Sequence, residues 1–141
     1  MHNGPSKVAA ALAAAAGLLM AVVLPVSAHH SFSAEFDQNK QVTLEGTVFM
    51  MEWVNPHSWL HIDVKKADGT VERWKIEGGS PSVLLRKGWN RDSLPIGTKI
   101  KVVGYQAKDG SLRASSRELQ FPDGRRLDLS GSAPSEKDPP K

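Results

Sequence analysis

The chain has 141 residues, enough for one domain of ordinary size, and its 40% hydrophobic and 23% charged residues exclude a disordered chain. It contains no cysteine, which excludes disulfide staples, thiolate metal sites and cysteine nucleophiles. The formal charge is only +3, and bases alternate with acids, as in Lys65-Lys66-Ala67-Asp68 and Arg86-Lys87-Gly88-Trp89-Asn90-Arg91-Asp92; a nucleic-acid footprint is a one-sign stripe, so no nucleic-acid partner is expected.

Met1 to Lys7 is short and polar with one cation, Val8 to Leu24 is an apolar run, and Val26-Ser27-Ala28 closes it with an A-x-A-like junction. Those are the three regions of a secretory signal peptide, so residues 1–28 are read as a cleaved leader. The mature protein is then expected to be periplasmic or secreted, with no stable membrane anchor. About 110 residues remain for a single core.

Residues 29–40 form an N-terminal segment before the first strand. Gln41 to Val54 predicts a long strand: Val42, Leu44, Gly46 and Val48 alternate with polar neighbours, and the phase shifts at Phe49-Met50-Met51. An interior glycine with a phase shift points to a bend or bulge. Asn55-Pro56 interrupts it. Ser58 to Lys65 predicts a second strand, with Ser58, Leu60, Ile62 and Val64 on one face and His57, Trp59, His61 and Asp63 on the other. Ala67-Asp68-Gly69 is a hairpin turn leading to a third strand, Thr70 to Glu77, with Trp74 and Ile76 on its core side.

Ser80 as N-cap, Pro81 at the first helical position and Gly88 at the end delimit one short helix. Thr98 to Gln106 and Leu112 to Phe121 predict two more strands around a Lys108-Asp109-Gly110 turn, and Arg125 to Leu129 a short extra one. Residues 130–141, rich in serine, proline and charge, read as a disordered tail. A three-strand meander, a helix and two or three further strands is the order of an OB-like β-barrel, expected over residues 41–129. An open β-roll or a small sandwich with a helical insert is the alternative.

Several segments resemble a family of small exported bacterial proteins of unknown function whose mature chain starts His-His-Ser-Phe: His29-His30-Ser31-Phe32, Leu44-Glu45-Gly46-Thr47-Val48, Glu52-Trp53-Val54-Asn55-Pro56-His57-Ser58-Trp59, and Gly79-Ser80-Pro81 with Leu84-Leu85-Arg86-Lys87-Gly88-Trp89. The resemblance runs through nearly the whole mature chain. It implies export and a β-barrel-like fold, and it brings no activity with it.

The sharpest chemistry lies at the mature N-terminus. Cleavage after Ala28 frees the α-amine of His29 beside its own imidazole, and His30 adds a second ring; amine and imidazole donors suit copper(II) and nickel(II). His57 is the third candidate metal ligand. His57 and His61 cannot share one ion, because four residues of extended strand separate them by roughly 13 Å. Trp59, with His61 and Asp63, is the candidate ligand or partner face, since strands two and three carry the binding surface of OB folds. Met50 and Met51 point to opposite faces, so at most one could join any one site.

Asp37, Glu45, Glu52 and Asp63 show no spacing that fixes an acid–base pair, and no serine sits in a nucleophile motif. No catalytic residue is named and no enzyme is expected. Gly78-Gly79-Ser80-Pro81 reads as a tight strand-to-helix turn in preference to an anion site. The sequence thus predicts a monomeric, exported, non-enzymatic binding or accessory module with copper as the candidate cofactor. The alternative is an interaction module that receives a peptide, glycan or envelope protein on strands two and three.

Overall fold

A computed structural model describes residues 32–131. After a helical turn at residues 32–35, the elements follow in order: β1 (Phe36–Glu52), β2 (Trp59–Lys65), β3 (Val71–Glu77), α1 (Pro81–Arg86), β4 (Lys99–Ala107), β5 (Arg113–Gln120) and β6 (Arg126–Leu127). The hydrogen-bonded order is β3-β2-β1-β4-β5-β6, and a parallel β3–β5 pairing through Lys75 to Glu77 and Arg113 to Ser115 closes the ring. A meander, a helix, and a first strand that serves both halves of a closed barrel make this an OB-like fold.

β1 serves both halves because it bends. Its first part pairs with β4 up to Thr47–Lys99 and its last part pairs with β2 from Thr47–Asp63 onward, with a register shift between Val48 and Met50. The bend falls beside Gly46, where a Cβ would stand 2.9 Å from the Asp63 carbonyl oxygen, so only glycine lets β2 come so close. β1 starts at Phe36, five residues before the alternation begins. Asp37-Gln38-Asn39-Lys40 carries no apolar alternation and lies in a register shift between the Phe36–Ala107 and Gln41–Tyr105 pairs, so β1 is extended by the single anchor of Phe36 packed beside Ala107.

The predicted faces of β2 and β3 hold. Leu60, Ile62 and Ile76 are fully buried with Ser58, and Trp74 joins them in the core. Helix α1 is capped as the sequence suggests, with the Ser80 side chain accepting from Val83 N and Pro81 at its start. It closes one end of the barrel with buried Leu84. Trp89 follows into the core, and its Nε1 donates to the Asp128 carbonyl at 2.9 Å. A second small cluster holds Phe32, Phe36, Tyr105 and Ala107, with the Phe32 ring edge-on to Tyr105 at 5.5 Å. Among the described residues no helix is long and apolar enough to cross a membrane.

Candidate functional site

The outward face of β2 and β3 gathers most of the residues with chemical potential. Register fixes it: Trp59 lies opposite Glu77, His61 opposite Lys75 and Asp63 opposite Arg73. On the other side of β2, Met50 faces His61 and Glu52 faces Trp59.

His57 precedes β2, where Ser58 N donates to Gly79 O and Gly78 N to Ser58 O, so the ladder runs on past the strand end. That continuation brings His57 Nδ1 to 2.7 Å from Glu77 Oε1. Nδ1 itself is shut away from solvent, and the contact is that of an ion pair, off the line of a straight hydrogen bond. The Glu77 side chain is nearly buried. Burial pushes its carboxyl above the usual carboxylate range; His57 opposes the shift, nearby Glu35 adds to it, and Ser115 and Arg113 oppose it.

Glu35 reaches this corner because residues 32–35 form a helical turn laid against the β4–β5 connection. Lys108 N donates to Glu35 O at 2.9 Å, and Arg113 Nη2 stands 3.3 Å from Glu35 Oε2.

A second histidine–carboxylate pair lies beyond Trp59. His61 Nε2 is 3.4 Å from Glu52 Oε2, and Lys75 Nζ is 3.5 Å from the same oxygen. The His61 and Lys75 contacts hold the Glu52 carboxyl below its ordinary value. Lys75 Nζ also sits over the half-buried Trp59 ring, 4.8 Å from its centroid. Asp63 is on the predicted face, but both its oxygens are taken by Arg73, at 2.8 and 3.0 Å. Arg73 in turn stacks on Phe49, 3.4 Å from the ring centroid.

The candidate ligands His29 and His30 lie outside the described residues. His57, Trp59, His61 and Asp63 share one face as expected, and the separation of His57 from His61 is spanned by Trp59. Among the described residues no group of three or more histidine or carboxylate side chains could hold a metal ion. Sequence reading missed Glu77 and Arg73. Alternation in β3 puts both opposite Trp74 and Ile76, and counting back from the Ala67-Asp68-Gly69 turn would have set them across from Trp59 and Asp63.

The glycine pair before α1 is a packing turn. Gly78 N and Gly79 N are spent on Ser58 O and Leu129 O, and a Cβ on Gly78 would stand 2.8 Å from Leu129. The two glycine amides are therefore not available to an anion.

Among solved structures, the chain is similar to the dimeric N-terminal domain of PriB protein from Thermoanaerobacter tencongensis, at 20% identity over 60% of this chain and 97% of that one, with a TM-score of 0.39. No curated protein matches it. Residues 15–116 match the model of a family of unknown function, DUF6152, and the chain belongs to that family.

Proposed function

We propose that this chain is an exported, non-enzymatic binding module that takes up copper(II) at its processed N-terminus, with His57 as the ligand supplied by the barrel. The observation that carries the reading is the His57–Glu77 contact. A metal-binding histidine commonly gives its other ring N–H to a carboxylate, which fixes the tautomer and raises ligand basicity. Here Nδ1 is buried in close contact with Glu77 Oε1, short of a straight hydrogen bond, and Nε2 is the nitrogen left for an ion. Imidazole and amine donors from His29, and the ring of His30, complete a nitrogen-rich set that suits copper(II).

The processed terminus lies close in sequence to the Glu77 corner. His29 stands three positions before Phe32, a reach of about 10 Å at most. The turn that begins at Phe32 carries Glu35, whose charge acts on Glu77.

The test is intact mass and copper titration on protein recovered from the periplasm. A chain starting at His29 that holds one copper, and that loses affinity on His57→Ala, supports the reading. A mature start elsewhere, or no copper uptake at micromolar concentration, overturns it.

A second reading rests on Trp59. Its ring lies between two histidine–carboxylate pairs, in reach of Lys75. An indole flanked by hydrogen-bonding groups suits a peptide or glycan strand laid along β2. Capture of such an oligomer, abolished by Trp59→Ala in a variant that keeps its fold, would favour this reading over copper.

A further inference from the structure

Where β1 changes partners, the outer wall of the barrel carries an open groove of about 700 Å³, a size that accommodates a small organic ligand. Thr47 lies at its centre, paired to Asp63 of β2 on one side and Lys99 of β4 on the other. Lys65, Lys99 and Lys101 line it, with Gln120 beyond them. Most of the barrel's other cations are engaged: Lys66, Arg73, Lys75, Lys87, Arg113, Arg125 and Arg126 each stand against a carboxylate. Among the described residues, no carboxylate stands at ion-pairing distance from Lys65, Lys99 or Lys101.

Two acids also line the groove. Asp63 is neutralised there by its two bonds from Arg73. Glu45 faces Lys101 across the β1–β4 ladder and leaves the groove with a surplus of positive charge.

We propose that this groove binds a phosphomonoester, held between the ammonium groups of Lys99 and Lys101 with Lys65 at the opposite wall. Lysine acts as a mobile point charge that suits the compact phosphate dianion, whereas a planar carboxylate is better matched by the arginine fork. Lys99 and Lys101 stand two residues apart on one strand, their Cα atoms about 7 Å from each other, so their long stems can converge on one group. Glu45, set into the same wall, opposes a polyanion lying along the strands and leaves room for a single phosphate head. The site does not depend on the histidine reading.

The phosphate could belong to a soluble metabolite or to a lipid headgroup, and two probes separate them. Calorimetry at low salt with glycerol 3-phosphate tests the first. Co-sedimentation with vesicles of phosphatidic acid in phosphatidylcholine tests the second. Saturable binding of either probe, weakened at least about tenfold in K99Q/K101Q, supports the site and names its source. These side chains are exposed, so the variant keeps its fold, which near-UV circular dichroism verifies. Binding of neither probe, or equal binding by the variant, overturns the proposal.

Discussion

Oε1 of Glu77 meets Nδ1 of His57 at 2.7 Å, and of the two residues the carboxylate is the more deeply buried. Burying a carboxylate costs stability unless its partners compensate, and here the residual cost appears as a raised pKa. Such a pair earns retention by orienting the ring. On the proposed copper site, Glu77→Gln keeps the shape but weakens the hold on the imidazole, and copper affinity is expected to fall by about 10- to 100-fold. The copper electron paramagnetic resonance spectrum should then lose the hyperfine contribution of one nitrogen. Unchanged affinity and spectrum would leave Glu77 with no part in positioning a ligand.

Trp59 and Trp74 lie on adjacent strands but face opposite ways, one half-exposed under Lys75 and the other in the core. Trp74→Ala should cost about 3–5 kcal/mol, as expected for a large core side chain. Trp59→Ala should cost only about 1–2 kcal/mol, from its partial burial and the lost ammonium contact. Urea denaturation of the two variants measures the contrast. Equal losses would put Trp59 in the core and remove it from any binding face.

The alternation of β2 was readable because one side of the strand meets the core: Leu60 and Ile62 are buried while His57, Trp59 and His61 are not fully so. The helix was readable from its own cap, proline and glycine. The start of β1 was not, since it is set by the pairing of Phe36 with Ala107 of β4, more than sixty residues away, across an irregular stretch at Asp37 to Lys40. Burial of Glu77 was equally hidden. Alternation assigns it to the outward face, but its burial depends on His57 and on the pairing of Glu77 with Ser115 of β5, which arrive from other parts of the chain. Pairing across the ladder also decides that Asp63 is occupied by Arg73, so a residue that looked available on β2 is not.

Gly78 has no room for a side chain. A Cβ there would stand 2.8 Å from Leu129, which is fully buried, and Gly78 N is already bonded to Ser58 O. Gly78→Ala must push Leu129 or shift the β3–α1 turn, at an expected cost of about 1–3 kcal/mol. A thermal melt that drops by less than a degree would mean that the turn relaxes freely. That outcome would also remove the packing explanation for the glycine pair.

Asp63 and Arg73 supply the pH-dependent element of the β2–β3 face. The guanidinium holds the Asp63 carboxyl below its ordinary value. The ionised form is therefore favoured by folding, and the stability it contributes is complete above the unfolded-state value of about 3.9 and is lost as pH falls through the lower folded-state value. Both groups reach solvent, so the contribution is small and screened by salt. Asp63→Asn should consequently lower stability slightly at neutral pH and low ionic strength, and the gap from the parent should close as pH falls through the lowered folded-state value. Denaturant titrations at neutral and acidic pH, with and without added salt, read this directly. A gap that persists in acid would mean that Asp63 acts through its shape and its contact with Arg73 and not through its charge.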